Sequence, residues 1–365
     1  MAANDPFLTP KKTSTASTRP GNMDGIRSLL WDNNLWMDKD DAFEKFSEVR
    51  DRAFEIIKGH RHSAVNLESR ENFRQVRREF ARVNELTFLT ELWACLLHQT
   101  RHVQQLEPLG KIAWIKTAWR KDHMGVQWGV DFRAESVPPL QTSDKTYVAL
   151  LAKLPRVQNP RPDLAYGLRP DAFDENELRI INSLHRFTVL STNLYHTFFI
   201  VELKSATGTI EEAENQCCRG GAAMVHARMQ FNTEATMKNL PLGGDPQCIA
   251  YSLAVTPSSA EMFVHWAEVR GQADIIFHMN FLKDYSLKDR NCEGFANLRH
   301  DIDNVLDWGT LQRKQDIKNV IKDIARRNEE AQEVSKQAVD ATELANKVLE
   351  EGPVPKRKRG SGRTK

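Results

Sequence analysis

The stretch that most constrains this chain is FFIVELKSATGTIEEAENQCCRGGAA, residues 198–223. It opens as a strand apolar enough to be buried, yet it carries Glu202 and Lys204 two positions apart. Side chains alternate across a strand, so these two charges share one face while Val201, Leu203 and Ser205 take the other. Burying either charge is costly unless it is paired or bound to something. A structural ion pair between Glu202 and Lys204 meets that requirement, and so does a site that binds a ligand. The segment that follows has helical period. At about 100° per residue, Gln216 falls within roughly 40° of Gly220, Ala223 and Ala227, a stripe of small residues that lets a helix approach a sheet closely.

The rest of the chain supplies the matching elements. Residues 41–58 and 70–104 place apolar side chains at helical spacing, from Phe43, Phe46, Ala53 and Ile57 to Phe73, Phe80, Leu89 and Leu96. Between 111 and 168 the pattern changes to short alternating runs such as KIAWIKTAW, GVQWGVDF and TYVALLAKL, which read as strands. DENELRIINSLHRF returns to helical period and HTFFIVELKS is a strand. QCIAYSLAV and EMFVHWAEV, joined through TPSS, read as a hairpin, with ADIIFHMNFL as a further strand. Past residue 310 a charged helix begins with an apolar stripe of Ile317, Val320, Ile321 and Ile324 that thins to Ala and Val. The expected fold is therefore mixed α/β, a sheet flanked by helices, with helices before it and a long charged helix after it.

Five segments follow from this pattern. Residues 1–22, rich in Ser, Thr, Pro and Lys, read as a disordered tail. Residues 23–110 read as a helical region packed on the core, 111–305 as the main domain, 306–351 as the charged helix and 352–365 as a basic disordered tail. Lysines and arginines number 51 against 49 acids, so any basic character is local. The five cysteines lack the spacing of a zinc site and suit a reducing compartment as buried thiols. No stretch approaches the roughly 20 apolar residues of a membrane helix, so the expectation is a soluble, intracellular protein with no membrane partner.

Upstream of Glu202, NPRPDLAYGLRPDAF offers two Arg-Pro-Asp triplets. Asp163 leads into strand-like Leu-Ala-Tyr. Asp171 follows a Gly and precedes a helical segment, which suits a turn or cap. An Asp at the start of one strand and a Glu on its neighbour form a pair of hard oxygen ligands suited to Mg²⁺ or Mn²⁺. A lysine two residues after the Glu can hold an attacking water and offset charge developing on phosphorus.

Pro162-Asp163, then Glu202-Leu203-Lys204, then a helix bearing Gln216, resemble the PD-(D/E)XK nuclease superfamily. The wording RPDLAYG, VELKS and AENQCCRGGAA is similar in particular to fungal PD-(D/E)XK nuclease-like proteins, over about residues 140 to 280. The resemblance implies a restriction-endonuclease-like core. It also implies divalent metal held by Asp163, Glu202 and the backbone carbonyl of Leu203, with Lys204 positioning the nucleophilic water. Asp163 and Glu202 stand 39 positions apart, longer than in compact members, so the DENELRIINSLHRF helix must be inserted between their strands. If that helix belonged to the core instead, the pairing of Asp163 with Glu202 would be in doubt.

The family often places a polar residue such as Gln216 near the metal or the nucleic-acid backbone; an ordinary buried amide is the alternative. Arg219, about 60° round the helix, is the candidate for a nucleic-acid phosphate, against a solvated or surface-paired side chain. The superfamily also uses a Glu from an early helix as an auxiliary ligand, and Glu85 falls inside the arc of Leu89, Leu92 and Leu96, against a helix-edge carboxylate paired with an Arg. Lys356, Arg357, Lys358 and Arg359 read as a nuclear localisation signal or phosphate-binding tail, against a solvated terminus.

Together these features point to a Mg²⁺- or Mn²⁺-dependent nuclease cutting nucleic acid, DNA foremost, in the nucleus, with a homodimer suited to two-strand cleavage. The alternative is a catalytically inactive, nuclease-like nuclear protein that binds nucleic acid or protein partners.

Overall fold

A computed structural model describes residues 23–38, 41–59, 70–75, 124–129, 131–133, 138, 158–184, 188–191, 194–205, 208–236, 242–270 and 274–351. Nine strands among these residues form one mixed sheet. One of its interior strands is β5 (Leu194–Leu203), ten residues long and buried throughout. Antiparallel to β5 runs β3 (Leu164–Leu168), and beyond it lies β2 (Met124–Trp128). On its other side β5 pairs in parallel with β7 (Ala250–Val255). The hairpin read from the sequence follows, β7 with β8 (Ser259–Val269), and then β9 (Ile275–Ser286). Short β4 (Val189–Ser191) and β6 (Gly243–Gly244) pair with β5 and β8.

The far edge differs from the sequence reading. The region expected to be helical contains α1 (Met23–Asp32), β1 (Leu35–Asp38), α2 (Asp41–Lys45) and α3 (Ser47–Lys58), and β1 joins the sheet in parallel with β9. Part of the sheet is therefore built from residues before 111. Four residues are too few for a period-2 pattern to register, and the sheet edge, not local propensity, makes LWMD a strand.

α4 (Glu175–Ser183) is the helix between β3 and β5, and it lies outside their pairing because β3 and β5 hydrogen-bond directly. It begins with reciprocal caps: Glu177 N–H donates to Asp174 Oδ1 at 2.8 Å and Asp174 N–H to Glu177 Oε2 at 2.9 Å. Asp171 sits in a 3-10 turn, paired with Arg169 at 2.8 Å.

Helices cover both sheet faces. α5 (Ile210–Thr236) lies across one, where Ile200, Ala165, Ala250, Ala254, Phe263 and Met279 meet Ala213, Cys217, Ala222 and Ala223. α3 and α6 (Glu293–Trp308) cover the other, over Tyr166, Val201, Leu203, Leu253 and Val264. The small-residue stripe of α5 does what its pattern implied. A Cβ at Gly220 would lie 2.3 Å from Ile200 Cδ1, and one at Gly221 only 2.0 Å from the His265 ring. Only side chains ending at hydrogen permit that approach.

α6 continues through a π-turn at Gly309–Arg313 into α7 (Lys314–Glu351). Ile317 and Ile321 pack under α4, and Lys318 ties to Glu177 at 2.6 Å. Farther along, Val334, Val339 and Leu344 are exposed, as the thinning stripe implied.

Candidate active site

Asp163 immediately precedes β3, whose first residue Leu164 faces Val201 of β5. One more step of this antiparallel register sets Asp163 opposite Glu202. A hydrogen bond fixes the junction: the Leu203 N–H donates to Asp163 Oδ2 at 2.7 Å. The segment before Asp163 is braced by the end of β2. Gly129 N–H donates to the Asp163 carbonyl at 3.0 Å, Arg161 Nε to the Gly129 carbonyl at 3.0 Å, and Phe132 N–H to the Pro160 carbonyl at 2.8 Å.

Glu202 is 2 % exposed. Alternation places it with Ile200 on the α5 face, while Val201 and Leu203 belong to the opposite core. Lys204 follows on the same face as Glu202, half-buried, its N–H bonded to the Val255 carbonyl at 2.8 Å. Its aliphatic stem lies against Gly208, where a Cβ would come within 2.9 Å of Lys204 Cβ. The turn after β5 thus shapes the lysine stem.

Gln216 and Arg219 project from the first half of α5, both half-buried. Gln216 Oε1 is withdrawn from water and has no hydrogen-bond partner. Arg219 is not the solvated side chain weighed in the sequence. Burial lowers its pKa, and the opposing pull comes first from the negative charge of Glu202. Its Nε is withdrawn from water without a hydrogen-bond partner.

Deeper under α5 lies a polar cluster that the sequence did not announce. His265 and Ser252 are bonded between Nε2 and Oγ at 2.7 Å, and Cys217 also bonds Ser252. Burial, followed by the charge of Glu202, pushes the Cys217 thiol well above its ordinary pKa, while burial lowers His265 to about 3. A protonated thiol and a neutral, buried imidazole make no nucleophile, so this trio packs α5 on the sheet.

The register carries further. Glu202 pairs with Ala254, Ala254 with Glu261, and Glu261 with Asp284. One row across the sheet thus holds Asp163, Glu202, Glu261 and Asp284 on the α5 side. The last two were missed from sequence, although period-2 alternation in SAEMF would have placed Glu261 opposite the buried Met262.

Glu85 and Lys356 to Arg359 lie outside the described residues. Leu203 is present as the last residue of β5, its side chain buried and its N–H held by Asp163. Cys217, Cys218, Cys248 and Cys292 are buried thiols outside any disulfide; Cys95 is not among the described residues. Among the described residues, no helix is long and apolar enough to cross a membrane.

A divalent cation can be tested against these donors. Among the described residues no three His, Cys, Asp or Glu side chains group into a cage of their own. A Mg²⁺-type ion does not need one. It binds through one or two carboxylates and completes its shell with neutral oxygens and waters. Opposed Asp163 and Glu202, with the buried and unpartnered Gln216 Oε1 on the covering helix, are a donor set of that chemistry.

Residues 106–321, more than half of the chain, match the model of a domain of unknown function, DUF7924. The chain belongs to this family. Asp163, Glu202, Lys204, Gln216 and Arg219 all fall inside the match, and so do α4, α5 and every strand from β2 to β9. No curated protein matches the chain.

Proposed function

We propose that this protein is a metal-dependent phosphodiesterase of the PD-(D/E)XK type, acting on nucleic acid, with nuclear DNA the substrate that the 355–359 basic run favours. The observation that carries the reading is the opposition of Asp163 and Glu202 across the β3–β5 pair, with Lys204 on the same face. Asp163, Glu202, the Leu203 carbonyl and Gln216 Oε1 would hold the cation. Once bound, it would supply Lewis acidity to the phosphate and lower the pKa of a water. Lys204 orients that water toward phosphorus and balances the charge that accumulates as the P–O ester bond breaks. Arg219 places positive charge in the field of the buried Glu202. Cleavage of both strands of a duplex would engage two copies of the chain.

Calorimetric titration of Mg²⁺ and Mn²⁺ into wild type, Glu202→Gln and Lys204→Met, with plasmid cleavage on the same samples, tests this. Metal binding should be lost in the first variant and kept in the second, and cleavage lost in both. Undiminished cleavage by Glu202→Gln would refute the proposal.

A second reading is favoured by Arg219 alone: a carboxylate already balanced by an inward guanidinium suits a scaffold that binds nucleic acid without cutting it. Salt-sensitive DNA binding that survives Glu202→Gln and needs no metal, in a wild type without cleavage, is its signature.

A further inference from the structure

On the same face of the sheet, two strands beyond Glu202, a cavity of about 540 Å³ opens between α1, the start of α5 and the strands β1, β8 and β9. This is the size of a small-ligand site. Its walls combine two chemistries. Trp31, Phe263 and Phe281 supply aromatic surface, and Glu211, Glu214 and Glu261 supply carboxylates. Trp31 is 54 % exposed and Phe281 38 %, which is unusual for rings of that size. Trp36 stacks on one face of Trp31 with centroids 4.2 Å apart and planes within 4°, fixing the ring as a platform. Arg27, the cation on the wall, is paired with Glu214 at 2.7 Å.

We propose that this cavity receives a nucleobase of the substrate strand next to the cleaved phosphate and selects bases that present paired N–H donors, guanine first. The inference deepens the nuclease reading and rests on it. Glu261 stands in the same register row as Glu202, two strand spacings or roughly 10 Å away. A base can therefore enter the cavity while its phosphate stays beside Lys204. Flat rings stack on exposed aromatics whatever the base. The carboxylates add the selection. Each offers about four acceptor sites, so bonds made elsewhere in the protein leave capacity for a ligand. Guanine presents two adjacent donors, N1–H and N2–H₂, that meet one carboxylate side by side. Thymine flanks its single N–H with two carbonyl oxygens, and those oxygens would face carboxylates. Cytosine and adenine, with one exocyclic amine beside a ring acceptor, fall between.

The test is calorimetric titration of dGMP, dAMP, dCMP and dTMP into the full chain without metal, for wild type, Trp31→Ala, Glu261→Gln and Lys204→Met. Wild type should bind dGMP about tenfold or more tighter than dTMP. The preference should collapse in Glu261→Gln, affinity for all four should fall in Trp31→Ala, and Lys204→Met should keep the preference. Equal affinity for the four, or none, overturns the proposal. So does tighter binding of arginine amide than of dGMP, which would make the cavity a site for a basic peptide. Selective dGMP binding by a protein that cuts nothing upholds the cavity and removes the nuclease reading. Cleavage of oligonucleotides without base preference and without mononucleotide binding removes the cavity alone.

Discussion

Asp163 has two duties that can be separated by mutation. Its Oδ2 accepts the Leu203 N–H at 2.7 Å, a bond that locks the end of β5, and in the proposed chemistry the same carboxylate holds the metal. Asp163→Ala removes both. Leu203 is fully buried, so its amide would be left without that acceptor, at a cost of about 1–3 kcal/mol. For a chain of this size that corresponds to a fall of roughly 1–4 °C in the unfolding midpoint. Asp163→Asn keeps an oxygen in place and replaces a charge-assisted bond by a neutral one about half as strong, so its loss should stay near 1 kcal/mol.

The stabilities of the two variants should therefore differ, while their metal binding should not. Circular dichroism melts would rank wild type, Asn and Ala in that order. Calorimetry with Mn²⁺ would show binding weakened in both variants, and plasmid cleavage should drop at least about 100-fold in both, as expected for the loss of several kcal/mol of charge stabilisation. An Ala variant that melts with wild type would mean that the Leu203 amide finds another acceptor and that Asp163 is no clamp. An Asn variant that binds Mn²⁺ and cuts normally would remove Asp163 from the metal site.

Gly221→Ala gains roughly 1 kcal/mol of helix propensity but drives a methyl to 2.0 Å from a His265 ring pinned by Ser252, so the melt should fall by a few degrees and recover in part in Gly221→Ala/His265→Ala; an unchanged melt would show that α5 can lift from the sheet freely. Gly208→Ala puts a methyl 2.9 Å from Lys204 Cβ and should lower cleavage about tenfold or more with little change in melting, and equal activity would show that the lysine stem need not lie there. His265 stays neutral in the folded chain down to about pH 3 but takes a proton below about 6.5 once unfolded. The unfolded state then binds more protons, so stability is full above that pH and falls by about 1.4 kcal/mol per unit as the pH drops toward 3. Urea midpoints at pH 7.5 and 5.0 should draw closer together in His265→Gln, with His196, whose pKa burial also lowers, keeping part of the dependence, and a slope as steep as that of wild type would assign the pH dependence elsewhere.

The elements that were legible in the sequence are those whose signal is repeated along the chain. β5 announces itself by an unbroken apolar run, α5 by a stripe of Gly and Ala that only close packing explains, and the β7–β8 hairpin by two such runs around TPSS. The inserted position of α4 followed from the resemblance, which pairs two carboxylates that stand 39 residues apart. β1 was not readable. Its four residues become a strand because β9 offers an open edge, a fact that exists only once the sheet has formed. The inward turn of Arg219 was hidden for a similar reason. A helical wheel gives an angle, whereas the depth to which α5 sinks is set by Gly220 against Ile200 and Gly221 against His265.

That depth links the site to the scaffold. Because α5 sits almost on the backbone of the sheet, Gln216 Oε1 is withdrawn from water, Arg219 feels the charge of the buried Glu202, and the Cys217–Ser252–His265 network is bonded between helix and sheet. A longer residue at either glycine would raise the helix, and Gln216 and Arg219 with it, from the sheet that carries Glu202. The small-residue stripe is therefore a feature of the proposed chemistry as much as of the packing. Glu261 extends the same logic sideways. It shares the Glu202 row through Ala254, itself too small to screen one carboxylate from the other, so a strand of nucleic acid lying along that row would meet the carboxylates proposed to hold metal at one end and the aromatic cavity at the other.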